Sequence, residues 1–259
     1  MTVVVMSKAT QRILTTIKVS SVILLYMFSI ASGVFVAMLS KGVLPTENSK
    51  EAVLFSATKV AENKDTVSDH YEIVFTKSEI PEEIRERMMG VTIREDSRMQ
   101  FEDLSYLTIT HIGYDGKSHT GNMIVNKKLA DEVLSIFKEL YEIKFPIERM
   151  ELVHKYGGSD ELSMRANNTS SFNDRPVSGG TGLSYHQLGQ AIDINPLVNP
   201  YIKKSVVLPE TAHEYTDRTL NAKGMINSDS ECVQIFKKYG WTWGGDWTSL
   251  KDYQHFEKR

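Results

Sequence analysis

Two short motifs, far apart in the chain, constrain its fold most. They are Ser184-Tyr-His-Gln-Leu-Gly-Gln-Ala-Ile-Asp193 and Asp252-Tyr-Gln-His255. Two imidazoles and one carboxylate, here His186, His255 and Asp193, match the ligand set that holds a catalytic Zn²⁺ and leaves a fourth position open. Because zinc ligands lie about 2 Å from the ion, both motifs can serve one metal only if the fold brings them together. Asp252 stands beside His255, where a general base is expected.

Spacing alone is weak support for a metal site, because a histidine and an aspartate seven positions apart arise often by chance. Local structure makes the site feasible. A strand predicted over 191–194 would present Asp193 on one face, and the loop that enters this strand would present His186. Gly189 lacks a Cβ and would let the backbone turn between the two.

Composition narrows the class of protein. The chain is 41% hydrophobic and 24% charged, which is typical of a globular protein that buries a sizeable core. A net charge of −3 with scattered Lys and Arg gives no electrostatic case for nucleic acid, so no nucleic-acid partner is expected. The single cysteine, Cys232, excludes an intrachain disulfide and a thiolate zinc cage, and we expect it to be a small buried residue of a helix.

The N-terminal region contains one long apolar segment, Val19–Leu39. Its 21 residues carry no charge and would span about 31 Å as a helix, which matches a bilayer core. Basic residues in 1–18 predict a cytoplasmic N-terminus and an extracytoplasmic remainder. A membrane signal anchor is favoured over a cleaved signal peptide processed near Ser29-Ile-Ala31. A buried core helix is the third alternative, and it is disfavoured because the segment is apolar all round.

Beyond this segment, residues 40–69 are typical of a polar linker, and one domain is predicted over 70–259. Strands and helices mix there without regular alternation, which predicts an α+β fold. Strands are predicted at His70–Phe75, Leu104–Thr110, Asn122–Val125, Met150–His154 and Ala191–Ile194. Helices are predicted at Glu82–Met89, from an Asn126 cap through Tyr141, and from a Ser228–Glu231 capping box to Lys238.

The residues around the two motifs resemble a known family. The Ser184-to-Asp193 pattern, Trp243-Gly-Gly-Asp-Trp247 and Asp252-x-x-His255-Phe are similar to the zinc D-alanyl-D-alanine carboxypeptidases (peptidase family M15). Relatives include vancomycin-resistance D,D-peptidases, L-alanyl-D-glutamate endopeptidases of phage endolysins and bacilli, and the hedgehog signalling domain. The tryptophan-glycine-glycine-aspartate-tryptophan run resembles the endopeptidase branch. The resemblance implies a hedgehog/DD-peptidase-like α+β fold, with a small antiparallel sheet flanked by helices.

The resemblance also implies roles for individual residues. His186, Asp193 and His255 would be the zinc ligands, and Asp252 matches the general base of the endopeptidase branch. Each ligand imidazole should also donate its other N–H to an oxygen acceptor, which the sequence does not identify.

Three further residues are assigned to substrate by the same resemblance. Arg175 is the candidate to polarise the scissile carbonyl and the oxyanion. Arg165 lies near it in sequence and could instead hold a substrate carboxylate. Ser184 resembles a family serine that hydrogen-bonds substrate or supports a ligand.

The function implied is zinc-dependent hydrolysis of peptidoglycan stem peptides, by L-alanyl-D-glutamate endopeptidase or D,D-carboxypeptidase chemistry. The alternative is a zinc-stabilised binding module, since hedgehog relatives use the same cage for structure and recognition. Asp252 and Arg175 favour the enzyme, because a purely structural zinc needs neither. Trp241, Trp243 and Trp247 are expected in the core or in a site wall rather than stacked on glycan. Asp246 is expected either beside a ligand histidine or in a turn.

Overall fold

The computed structural model describes residues 72–174 and 184–259, and within them it mixes helices with short strands as an α+β fold does. The predicted segments 1–18, Val19–Leu39 and 40–69 lie outside the described residues, and so does Arg175. Within the described ranges, no helix has the length and apolar character needed to cross a bilayer.

The elements are short, and many are single turns. The strands are β1 (Phe75–Ser78), β2 (Leu104–Ile112), β3 (Ser118–Asn126), β4 (Arg149–Met150), β5 (Asn168–Thr169), β6 (Ala191–Asp193), β7 (Tyr201–Lys203), β8 (Val206–Leu208), β9 (Thr242–Trp243), β10 (Lys251–Asp252) and β11 (His255–Glu257). The α-helices are α1 (Glu82–Met88), α2 (Ala130–Glu142), α3 (Asp160–Arg165) and α4 (Glu231–Lys238). The 3₁₀ turns are Phe101–Asp103, Lys127–Leu129, Val153–Tyr156, Tyr185–Leu188, Glu210–Thr216, Arg218–Leu220 and Gly244–Asp246.

The largest sheet is antiparallel, in the order β1-β2-β3, and α2 packs against it. The helix predicted through Tyr141 is confirmed, and it buries one apolar stripe formed by Val133, Ile136, Phe137 and Leu140. They share one core with inward residues of β2 and β3. Burying each such side chain contributes about 1.5–3 kcal/mol, so this layer supplies much of the stability of the domain.

Two smaller antiparallel sheets follow in sequence, in the orders β6-β11-β9 and β10-β7-β8. The first of them joins the same core through Phe256, which stacks on Phe236 of α4 at 3.9 Å between ring centroids. Cys232 of α4 is buried there with its thiol free, as expected from the sequence. Because β11 is the central strand and its Phe256 is anchored in the core, its neighbours His255 and Glu257 are held on a rigid support.

Two predicted strands need correction. Of the strand predicted at His70–Phe75, the described residues 72–74 lie before β1, because pairing with β2 covers only Phe75–Ser78 and Ile73 is exposed; His70 and Tyr71 lie outside the described residues. The strand predicted at Met150–His154 is wrong: β4 ends at Met150, and a 3₁₀ turn follows over Val153–Tyr156. That turn closes on Gly157, whose left-handed φ of 63° favours glycine.

The start of α4 is also corrected. Ser230, not Ser228, is the N-cap, and its Oγ accepts a hydrogen bond from the Val233 N–H at 3.5 Å. The predicted end at Lys238 is confirmed. Asn126 caps the 3₁₀ turn that leads into α2, accepting from the Lys128 N–H at 3.0 Å.

The corrected cap can be tested by a pair of serine substitutions. Ser230→Ala should lower the free energy of unfolding by about 1 kcal/mol, because it removes the acceptor of an otherwise unpaired helical N–H. Ser228→Ala is the matched control and should stay within about 0.5 kcal/mol, because Ser228 is exposed. Urea unfolding of the full chain, followed by tryptophan fluorescence, measures both. An equal loss in the two variants would contradict the assignment.

Candidate metal centre

Strand register brings two of the predicted ligands together. In the antiparallel pair β6–β11, Asp193 and His255 are directly opposite each other. Opposed residues of such a pair project from the same face with Cβ atoms about 5 Å apart. The Asp193 Oδ1 and His255 Nδ1 atoms accordingly lie 3.1 Å apart.

The third predicted ligand, His186, lies on the 3₁₀ turn Tyr185–Leu188. Ser184 caps this turn, and its Oγ accepts a hydrogen bond from the His186 N–H at 3.2 Å. Gly189 ends it with a φ of 61°, and its carbonyl accepts from the Asn126 N–H at 2.8 Å. The turn at Gly189 is confirmed, and its glycine has a second reason: a Cβ there would lie 2.5 Å from the Asn126 nitrogen.

The turn directs the His186 side chain towards the β6–β11 strand pair. Its Nε2 atom lies 3.2 Å from Asp193 Oδ2 and 3.2 Å from His255 Nδ1. A tetrahedral ion bound at about 2.0–2.1 Å would hold its ligand atoms about 3.3 Å apart, which these separations match closely. Within the described part of the chain, these residues form the group of three or more metal-binding side chains whose ligand atoms lie within 4.8 Å of one another. The three could therefore hold one metal ion.

The remaining ring nitrogens also have acceptors, which the sequence analysis did not identify. His186 Nδ1 faces the Ser171 carbonyl at 2.7 Å, and His255 Nε2 faces Glu257 Oε2 at 3.2 Å. Such contacts orient ligand imidazoles and leave the other nitrogen free for metal. The alternation of β11 could have indicated Glu257, whereas a backbone carbonyl such as that of Ser171 leaves no signal in a sequence.

Asp252 lies on β10 near this group. Burial raises the pKa of its carboxyl to about 6; the positive charge of His255 opposes the rise, and the negative charge of Asp193 adds to it. Its Oδ1 atom is buried and has no hydrogen-bond partner among the described residues. A Cβ on Gly244 would come within 2.8 Å of the Asp252 Cβ, so the glycine of the 3₁₀ turn lets this strand pack closely. The Asp252 carboxylate, buried near the three proposed ligands and with a free lone pair on Oδ1, can therefore accept a proton.

The tryptophans divide between core and site wall, as expected. Trp241 and Trp243 are buried in the core, and the Trp243 indole N–H donates to the Tyr253 carbonyl at 2.9 Å. Trp247 is half-buried, with its ring 5.4 Å from the His255 ring. Asp246 forms an ion pair with Lys237 at 2.7 Å, which is consistent with the turn role and not with a place beside a ligand histidine.

Of the three residues assigned to substrate, the structure describes Arg165 and Ser184. Arg165 lies on α3 and forms ion pairs with Glu161 at 2.7 Å and with Glu210 at 3.3 Å. Ser184 acts as the cap described above and so supports the His186 segment. Arg175 lies outside the described residues.

Residues 178–258 match the family model described as D-alanyl-D-alanine carboxypeptidase. This segment covers less than half of the chain but contains His186, Asp193, Asp252 and His255. No curated protein and no solved structure matches the chain.

The charge state of the cluster leads to a prediction about metal binding. Burial lowers the pKa of His255, but hydrogen bonds to Asp193 and Glu257 outweigh it and raise the pKa to about 10. At pH 7 the imidazole therefore carries a proton that a metal must displace. We expect about one proton to be released per Zn²⁺ bound, with affinity falling as the pH is lowered.

Isothermal titration of the full chain in buffers of different ionisation enthalpy measures this release. His119→Ala removes an exposed imidazole that pairs with Asp115 outside the cluster, and it should leave the proton count unchanged. Zinc binding without proton release would contradict the arrangement.

Proposed function

We propose that this chain, which belongs to the D-alanyl-D-alanine carboxypeptidase family of peptidases (family M15), is a zinc-dependent hydrolase of peptidoglycan stem peptides. The family match supports peptide-bond hydrolysis. The observation that carries the metal is the convergence of His186, Asp193 and His255, whose ligand atoms lie within 4.8 Å of one another. Borderline-soft Zn²⁺ suits this mixture of two imidazoles and one carboxylate.

A zinc ion held there would supply a Lewis acid that polarises the scissile carbonyl and lowers the pKa of water towards about 7. The protein supplies the rigid frame. The His186 and His255 rings are fixed by the Ser171 carbonyl and the Glu257 carboxylate, and Asp193 is fixed by strand pairing. Because these supports exist before substrate arrives, little reorganisation is required during the reaction.

Asp252 is the proposed general base. It takes the proton of the attacking water and returns it to the amine that leaves. A pKa of about 6 suits both steps, because the carboxyl is mostly ionised at pH 7 yet close enough to that pH to hold a proton briefly. Its buried Oδ1, which has no hydrogen-bond partner among the described residues, is the atom that can accept this proton.

Arg175 is proposed to stabilise the oxyanion, a role worth several kcal/mol where water is excluded. The two ion pairs of Arg165 support this choice, because its guanidinium is already engaged.

The apolar segment Val19–Leu39 supports a membrane-anchored domain outside the cytoplasm, or a secreted one if the segment is cleaved. That location would give the enzyme access to peptidoglycan.

The first test removes the base. Asp252→Ala should lower kcat by about 10²–10⁴-fold on defined muropeptides, because proton transfer is lost while the zinc ligands are untouched. Zinc content, measured by elemental analysis, should stay at one per chain. The matched control Asp131→Asn alters an exposed carboxylate that pairs with Lys77 and should leave kcat unchanged.

Mass spectrometry of the released peptides identifies the bond. Cleavage between L-alanine and D-glutamate indicates the endopeptidase, and loss of terminal D-alanine indicates the carboxypeptidase. If the zinc-loaded wild type releases nothing from sacculi or from muropeptides, the binding-module alternative replaces the enzyme. Unchanged turnover in Asp252→Ala would remove this residue from the mechanism.

The second test is the pH profile. Asp252 must be ionised to act as a base, so activity is lost as the pH falls through its pKa. That pKa is raised to about 6 without metal, and a nearby dication would lower it. We expect kcat/KM to fall about tenfold per pH unit below a pKa at or below about 6. Zinc content is checked at each pH, and an acid limb centred above about pH 7 would contradict the assignment.

A further inference from the structure

We infer that Glu257 is a positioning residue of the metal centre: it holds the His255 ring so that Nδ1 faces Asp193 and His186, and it thereby strengthens metal binding. The inference rests on the proposed zinc site. It assigns a role to a carboxylate that neither binds metal nor moves a proton in the proposed reaction.

The backbone of β11 places Glu257 beside His255. Residues two apart on a strand project from the same face, and Glu257 Oε2 lies 3.2 Å from His255 Nε2. β11 is paired on both sides, so its backbone cannot shift easily: Glu257 is opposite Ala191 of β6 and Thr242 of β9. The contact is therefore built into the sheet.

Burial makes this contact costly to leave unpaired. The Glu257 side chain is only 5% exposed. A carboxylate removed from water to this degree is destabilising unless charged or polar partners compensate it. Both of its oxygens do have partners: Oε2 faces the His255 ring, and Oε1 accepts from Arg259 Nε at 2.9 Å.

The contact determines which nitrogen of His255 faces the other ligands. A carboxylate can only accept, so the ring must present an N–H to it, and that N–H is at Nε2. Without metal, Nδ1 carries the proton that pairs with Asp193 Oδ1 at 3.1 Å; once a metal displaces that proton, the Nδ1 lone pair is the one directed at the cluster. His186 is held in the opposite sense by a neutral carbonyl, with Nδ1 bound to Ser171 and Nε2 facing the cluster.

Arg259 extends the contact towards the other motif. Its guanidinium carbon lies 5.8 Å from the centroid of the Tyr185 ring, and Tyr185 directly precedes His186. Glu257 thus contacts both the ligand His255 and Arg259, and Arg259 contacts the ring of Tyr185, the residue before the ligand His186. Because the Arg259 side chain is 70% exposed, solvent screens it and its own share should be small.

Zinc affinity of the full chain, measured by competition with a chelating dye, tests the role. Glu257→Ala should weaken zinc binding about 10–100-fold, the range seen when such supporting contacts are lost. Glu257→Gln should recover part of the loss, because its amide oxygen still accepts the Nε2–H. Arg259→Ala should change affinity by less than about threefold.

The matched control is Glu132→Ala. Glu132 accepts from the Trp241 indole and from Lys258 in the same domain, without contact to a proposed ligand. It should lower Tm and leave zinc affinity unchanged, which separates a positioning role from general destabilisation. Wild-type affinity in a folded Glu257→Ala, or an equal loss in Glu132→Ala, would overturn the inference.

A second measurement needs no variant. Nitrogen-15 NMR of the imidazoles in the zinc-loaded wild type should show His255 with a protected N–H at Nε2 and zinc on Nδ1. Coordination through Nε2 would overturn the inference even with zinc bound. If the wild type binds no zinc at all, the proposed function fails instead.

Discussion

The pairing of β6 with β11 is the constraint on which the rest of the site depends. It places Asp193 opposite His255 in an antiparallel register, so a displacement of one residue would turn either side chain to the other face. Phe256, between His255 and Glu257, points the other way and stacks on Phe236 in the core. The same alternation that buries one residue of β11 thus presents its two neighbours to the metal centre. Core packing and site geometry are therefore set by a single register.

The remaining ligand uses a different support. His186 does not belong to this strand pair; it lies on the 3₁₀ turn Tyr185–Leu188, which precedes β6 in sequence. This turn is capped by Ser184 and ended by Gly189 in a left-handed conformation against Asn126. Asn126 also caps the turn that leads into α2. The ligand turn is thereby fixed to the largest sheet and its helix, so two parts of the fold hold the three side chains jointly.

Sequence reasoning succeeded where the cause is local. The helix α2, the Asn126 cap of the 3₁₀ turn that leads into it, and the turn at Gly189 follow from spacing and backbone freedom within a few residues. It failed where longer-range contacts decide: the segment after Met150 forms a turn because the Asn168 side chain accepts from the Glu151 N–H at 2.7 Å and Gly157 closes the turn. The three proposed ligands were named from residue type and resemblance, but their meeting point depends on strand register, which no local pattern reveals.

Charge balance explains why these particular residues surround the centre. Three carboxylates, those of Asp193, Asp252 and Glu257, lie close to two imidazoles in a region shielded from water. Without a cation, protons make up the balance: the pKa of His255 rises to about 10 and that of Asp252 to about 6. A dication would replace the proton on His255 and favour ionisation of Asp252, because like charges no longer oppose it. Metal binding and the ionisation of Asp252 are thus linked electrostatically. In the proposed hydrolysis, Asp252 would be fully ionised, and so able to act as the base, when Zn²⁺ is bound.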